Sequence, residues 1–171
     1  MGLTKPVLQL AGYSNSGKTK LMERLIVEAS KNGWRTGTLK HHGHGGVPDM
    51  SDGGKDSGKH RQAGAAVTGV EGGGMFLLSA EKQQWTLEEL LSFYEAMDMD
   101  LILVEGYKHA DLPKIAIIKE PDDLSLLQSL TNVQAVASWK PLTHDLDVPI
   151  FLMEDDALMD WFRNYIKGVM R

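Results

Sequence analysis

The 171-residue chain contains no cysteine, which excludes disulfides, thiolate metal sites and a cysteine nucleophile. It has no apolar run near the ~18 residues of a membrane span. Its N-terminus lacks the charged-then-apolar pattern of a secretory signal. These absences lead us to expect a soluble, cytoplasmic protein with no membrane partner. Positive charge is in deficit, with 18 Lys and Arg against 23 Asp and Glu and a formal net charge of −5. A nucleic-acid partner is not expected of that balance, because broad binding uses a basic surface. A single phosphate site needs only a local positive region. The hydrophobic fraction of 42% is enough for a core, and the length suits one domain spanning residues 1–171.

The order of elements points to an α/β fold. Residues 6–11 form a short apolar run ending at a glycine, the pattern of a buried strand. Leu21, Met22, Leu25, Ile26 and Ala29 recur at helical spacing, and Asn32-Gly33 is a stop signal. Residues 34–40 read as a second strand. Strand, helix, strand in this order predicts a parallel crossover. A polar, glycine-rich stretch follows over residues 41–62, with a short helix capped by Asp56 or Ser57 near its end. Residues 65–70 and 75–79 predict two strands of an antiparallel hairpin turning at Gly72-Gly73-Gly74. Thr86 and Glu89 match a capping box. Residues 101–104 are apolar on both faces, as a central strand requires. Residues 114–118, 133–137 and 149–152 read as further strands, and residues 157–169 as a closing helix. Because the first strand leads through Gly12–Thr19, a G-x-x-x-x-G-K-[ST] match, into a helix, the expected architecture is a P-loop NTPase fold: a mostly parallel central sheet, helices on both faces and an added β-hairpin.

The strongest motif is Gly12-Tyr13-Ser14-Asn15-Ser16-Gly17-Lys18-Thr19. It matches G-x-x-x-x-G-K-[ST] at each fixed position, after a strand and before an amphipathic helix. Glycines in such a loop let successive N–H groups converge on an anion, and the helix start aims its positive dipole end at the same point. Lys18 adds a full charge for the β- and γ-phosphates, and Thr19 offers a hydroxyl to Mg²⁺. The site needs an acid on a neighbouring strand. Asp100 and Glu105 flank residues 101–104, roughly 17 Å apart along an extended strand. Phosphates bind outside the carboxyl ends of parallel strands, so Glu105 is the candidate, with Gly106 able to present its N–H to the γ-phosphate.

The polar stretch admits three readings. His41, His42 and His44 suit a transition metal, although no zinc-type spacing supports them. The stretch is equally a mobile polar loop. It is also where a nucleotide switch segment would lie, with Asp49 or Asp52 near Mg²⁺. Lys40, His41, Lys55, Lys59, His60 and Arg61 could there gather around a second anion, although each taken alone is ordinary surface charge.

Together GYSNSGKT, LKHHGHG, KDSGKHRQAGA and DLILVEGYKH resemble the MobB family of molybdopterin-guanine dinucleotide biosynthesis adaptor proteins over about residues 6–120. The resemblance implies a GTP-binding, homodimeric protein with weak Mg²⁺-dependent GTPase activity. It implies a role in converting molybdenum cofactor to its guanine dinucleotide form, beside the guanylyltransferase and a molybdopterin-type cofactor. By matching positions, Gly12, Ser14, Asn15, Ser16, Gly17, Lys18 and Thr19 carry over as the nucleotide site and Glu105 as its acid. Asp56, Arg61 and the His41 region carry over as part of the family's loop. The N-K-x-D guanine signature is absent, and Ser138-Trp139-Lys140 could border the base in its place. Two other classes compete. A small-molecule kinase would use Arg61 to hold a phosphoryl acceptor, although 163 and 171 are the only later arginines. A metal-delivery GTPase would use the histidines.

Overall fold

A computed structural model describes residues 4–43, 46, 48, 54–142 and 146–170. The chain divides into two compact units: residues 1–43 with 91–171, and residues 44–90. The division was not apparent from composition, which shows no linker.

The first unit is built on a six-stranded sheet comprising β1 (Val7–Ala11), β2 (Thr36–Lys40), β5 (Leu101–Glu105), β6 (Lys114–Ile118), β7 (Val133–Ser138) and β8 (Ile150–Leu152). The spatial order is β2-β5-β1-β6-β7-β8, and every pairing is parallel. Strands β5 and β6 are buried at all five positions, as expected where both faces of a parallel sheet are covered. On one face, Leu8, Leu10, Leu103, Ile115 and Ile117 pack with Leu21 and Leu25 of α1 (Lys18–Lys31) and Phe162 of α4 (Asp156–Val169). On the other, Ala116, Ile118 and Val136 pack against Leu124 and Leu127.

Those two leucines belong to a 3₁₀ helix, Pro121–Ser129, which the pattern analysis did not foresee. Its start carries a capping box between Glu120 and Asp123 and a proline in the first turn, which supplies the backbone partners a short helix otherwise lacks. Residues 34 and 35 fall outside β2. Trp34 instead sets its ring edge-on against Phe162, with centroids 6.2 Å apart. Helix α4 is capped by Asp155, whose side chain accepts the Ala157 N–H at 3.0 Å.

Fully buried Lys114 donates from Nζ to Ala110 O at 2.8 Å and Thr131 O at 2.5 Å. Burial holds its ammonium below the ordinary lysine range, against the pull of Asp111. The connection that follows Glu105 is thereby tied to the start of β7.

The second unit contains α2 (Asp56–Gln62) and an antiparallel hairpin of β3 (Val67–Gly72) and β4 (Met75–Ala80). The turn is Gly73-Gly74, both at positive φ, as a two-residue hairpin turn demands. Strand β3 starts at 67 rather than 65 because the Ala65 N–H donates to His60 O and finishes the helix. Lys55 is the residue preceding α2; Asp56 sits in its first turn and pairs with Lys59 at 3.0 Å. The capping box at Thr86 is present, with Thr86 N–H donating to Glu89 Oε2 at 2.9 Å and Glu89 N–H to Thr86 Oγ1 at 3.2 Å. It opens α3 (Leu87–Glu95), whose later residues belong to the first unit, where the Tyr94 hydroxyl donates to Thr38 O at 2.5 Å. Among the described residues no helix is long and apolar enough to cross a membrane.

Helices α1 and α4 are joined where Arg163 Nη1 donates to Glu28 Oε1 at 2.6 Å. That bond, outweighing desolvation, holds the Glu28 carboxyl below the usual carboxylate range. A depressed folded-state value means stability that is present above the unfolded value, about 4.3, and fades as pH falls through the folded one. Glu28→Gln is therefore expected to lower stability at neutral pH and to flatten the acid limb, measured by urea unfolding between pH 7 and pH 3.

Candidate functional site

Strand β1 ends at Ala11, and the chain turns through Gly12–Thr19 into α1. Gly12 must be glycine: a Cβ there would stand 2.5 Å from Ser16 Oγ and 3.2 Å from Ile117 Cβ. Asn15 and Gly17 take the left-handed conformation, at φ 58° and 98°. A Cβ at Gly17 would also lie 2.8 Å from Cζ2 of Trp139.

The carbonyls of the loop are held by donors. Lys18 Nζ donates to Gly12 O at 3.1 Å and to Tyr13 O at 2.6 Å. Lys119, just after β6, donates to Asn15 O at 3.3 Å. Trp139, just after β7, donates from Nε1 to Ser16 O at 2.7 Å. Ser16 itself is buried, and its Oγ has no hydrogen-bond partner among the described residues. Burial lowers the Lys18 ammonium below its ordinary range, with Lys40 and Lys108 pushing the same way and Glu105 opposing.

At the carboxyl end of β5, Glu105 is nearly buried. The Thr19 hydroxyl faces both its oxygens, at 3.3 and 3.4 Å. Lys40, from the end of β2, stands 3.2 Å from Oε1. Asp100, at the other end of β5, instead accepts the Arg35 N–H at 2.8 Å. Register explains the grouping, since Lys40 and Leu10 both pair with Glu105 across neighbouring strands. The Gly106 N–H donates to Leu10 O at 3.2 Å, so offering it to a phosphate requires that bond to break. Buried Gln9 holds the same turn, its Nε2 donating to Gly106 O at 2.5 Å and Tyr107 O at 2.7 Å.

The structure thus brings together Gly12, Ser14, Asn15, Ser16, Gly17, Lys18, Thr19, Glu105 and Gly106 in the first unit. The basic residues expected around a second anion are divided. Lys40 is committed to Glu105, and the His41 ring lies 4.5 Å from that of Tyr107. Lys55, Lys59, His60 and Arg61 belong to the second unit, where Lys59 pairs with Asp56. Asp49, Asp52 and His44 lie outside the described residues. Among the described residues no group of three His, Cys, Asp or Glu could hold a metal ion. Lys119 and Gln9 carried no signal in the sequence, and Lys40, expected beside a second anion, faces Glu105. Trp139, expected to border a base, lies against the loop through Ser16 O.

A family model described as "Molybdopterin guanine dinucleotide synthesis protein B" matches residues 7–139. The chain is 38% identical over 164 residues to a Bacillus subtilis (strain 168) protein named "Probable molybdopterin-guanine dinucleotide biosynthesis adapter protein", covering 95% of this chain and 94% of that one. It is 34% identical over 171 residues to the similarly named adapter protein of Escherichia coli (strain K12), covering 92% and 94%. The crystal structure of Bacillus subtilis MobB superposes with a TM-score of 0.82 at 39% identity, covering 95% of this chain and 99% of that one.

Gly17→Ala is expected to destabilise the protein by about 1–3 kcal/mol, because a side chain at this φ is strained and its methyl displaces an aromatic ring. Denaturant unfolding followed by tryptophan emission checks both effects.

Proposed function

The chain belongs to the MobB family, and from that membership we propose that it is a GTP-binding adapter in molybdopterin guanine dinucleotide biosynthesis, with weak Mg²⁺-dependent GTPase activity. The observation that carries the nucleotide reading is the pairing of a glycine loop, held at its carbonyls, with the Thr19–Glu105 contact at its mouth. A hydroxyl and a carboxylate are hard oxygen donors, and Mg²⁺ prefers such ligands. The unpartnered Ser16 hydroxyl and the loop amides fit a polyphosphate.

Lys18 exchanges two neutral carbonyl acceptors for phosphate oxygens on binding, and bonds to an ionised acceptor are roughly twice as strong. Thr19 and Glu105 would hold the cation, while Lys40 balances the carboxylate. Mg²⁺, when bound, neutralises charge on the phosphate oxygens. No glutamine or arginine of the loop stands ready to orient a water, so turnover is slow and the adapter role dominates. The guanylyltransferase and a molybdopterin-type cofactor are the partners this reading requires, in a cytoplasmic setting, and residues 1–171 act as one functional domain.

The hairpin supplies the dimer contact. Met75, Phe76, Leu77 and Leu78 are all exposed, on both faces of β4, and a two-stranded hairpin alone is marginally stable in water. A second copy covers these side chains. Wild-type mass in solution is expected at twice the 18.9 kDa of the chain, and Phe76→Asp with Leu77→Asp is expected to give the monomer, by analytical ultracentrifugation. A wild-type monomer at micromolar concentration would refute the contact.

The function is tested by incubating protein and Mg²⁺ with radiolabelled GTP or ATP, with and without phosphoryl acceptors. Slow phosphate release from GTP, and faster guanine-dinucleotide cofactor formation in a reconstituted transferase reaction, are expected. A labelled acceptor would mean a small-molecule kinase instead. Lys18→Ala is expected to lose nucleotide binding. Glu105→Gln is expected to raise the Mg²⁺ concentration needed for binding by about tenfold or more, on the scale of a lost charged contact, while unchanged Mg²⁺ dependence would remove Glu105 from the site.

A further inference from the structure

We propose that Trp139 is a positioning residue for the phosphate loop, acting through its indole N–H on the Ser16–Gly17 peptide and not through contact with the base. The inference rests on the nucleotide reading above for its ligand, but its geometry stands apart from it. Peptides are planar and trans, and no cis bond occurs among the described residues. In a trans peptide the carbonyl and the following N–H point in opposite directions. Trp139 Nε1 holds Ser16 O at 2.7 Å. The Gly17 N–H, just before α1, is thereby turned away from the indole.

Three features make the indole a rigid post. Ser138 is fully buried, and its Oγ contacts Lys140 O at 2.8 Å and Phe151 O at 3.4 Å, fixing the bend after β7. The Trp139 N–H donates to Ile118 O at 3.1 Å, and Lys140 pairs with Glu120 at 2.8 Å, so the bend is tied to the end of β6. Gly17 has no Cβ, which lets the ring approach to where such an atom would be 2.8–3.2 Å away. On the ring itself, Lys20 Nζ lies 5.0 Å from the centroid, a cation–π contact from the first turn of α1. Trp139 thus touches the loop and the helix it opens, over more than a hundred residues of sequence.

The test separates this role from base stacking. Trp139→Phe keeps a ring but loses the donor. Affinity is measured for guanosine triphosphate and, by competition, for inorganic tripolyphosphate, which has no base. We expect both to weaken by a similar factor, about three- to tenfold, the range of one hydrogen bond. Loss for guanosine triphosphate alone, or for neither, would overturn the proposal. In nucleotide-free protein, deuterium uptake over residues 12–19 is expected to rise in the variant while that of α4 stays unchanged; unchanged uptake over the loop counts against it. If Trp139→Phe does not fold, benzothienylalanine at position 139 preserves the ring shape and removes only the N–H. Wild-type protein that binds neither ligand would end the nucleotide reading, whereas the exchange measurement would still report on the strap.

Discussion

A cradle of backbone amides has a built-in competitor, because each peptide that offers an N–H also carries a carbonyl. Unless the carbonyls are occupied elsewhere, they turn inward and repel the anion the amides would bind. In this chain Asn15 is held by Lys119 and Ser16 by Trp139, while Lys18 spans Gly12 and Tyr13 in the protein without ligand. Two of those donors come from the ends of β6 and β7, so the loop's shape depends on strands far from it in sequence. The parallel sheet makes this workable, since it delivers the carboxyl ends of neighbouring strands to one edge.

The same edge assembles the acidic part of the site. Glu105 ends a strand buried along its whole length, Lys40 ends its neighbour, and Thr19 lies in the first turn of the helix that leaves the loop. A buried carboxylate is tolerated where a cation and a hydroxyl face it. The turn beyond Glu105 is held from below by Gln9 and Lys114, both buried and both donating to carbonyls of that connection. Charge at this edge is therefore supported by a layer of polar side chains inside the sheet.

What was legible in the sequence was local. The glycine loop is a contiguous motif whose glycines, lysine and threonine have fixed spacing, and the capping box at Thr86 spans four residues. Glu105 followed from one inference beyond the motif: that a both-faces-apolar run is a parallel strand, whose carboxyl end meets the loop. What stayed hidden was either long-range or weakly patterned. Nothing in the run Lys119-Glu120-Pro121 signals that its lysine reaches Asn15, and nothing in Ser138-Trp139-Lys140 reveals that the indole turns toward Ser16. The 3₁₀ helix escaped because Pro-Asp-Asp reads as a turn and its apolar residues are too few for a helical period. The division into two units is equally silent in composition, since the hairpin is as apolar as a core strand.

Strands β2 and β5 are adjacent in the sheet, yet the whole second unit lies between them in sequence. Bringing their ends together closes a long loop, and the entropy of closure grows only logarithmically, about 0.6 kcal/mol for each doubling of length. Equilibrium stability of the sheet is thus nearly indifferent to how much chain the excursion contains. The rate at which β5 finds β2 is not, because distant pairings slow folding. The penalty for a long excursion between these two strands therefore falls mainly on the folding rate and little on the equilibrium stability of the sheet.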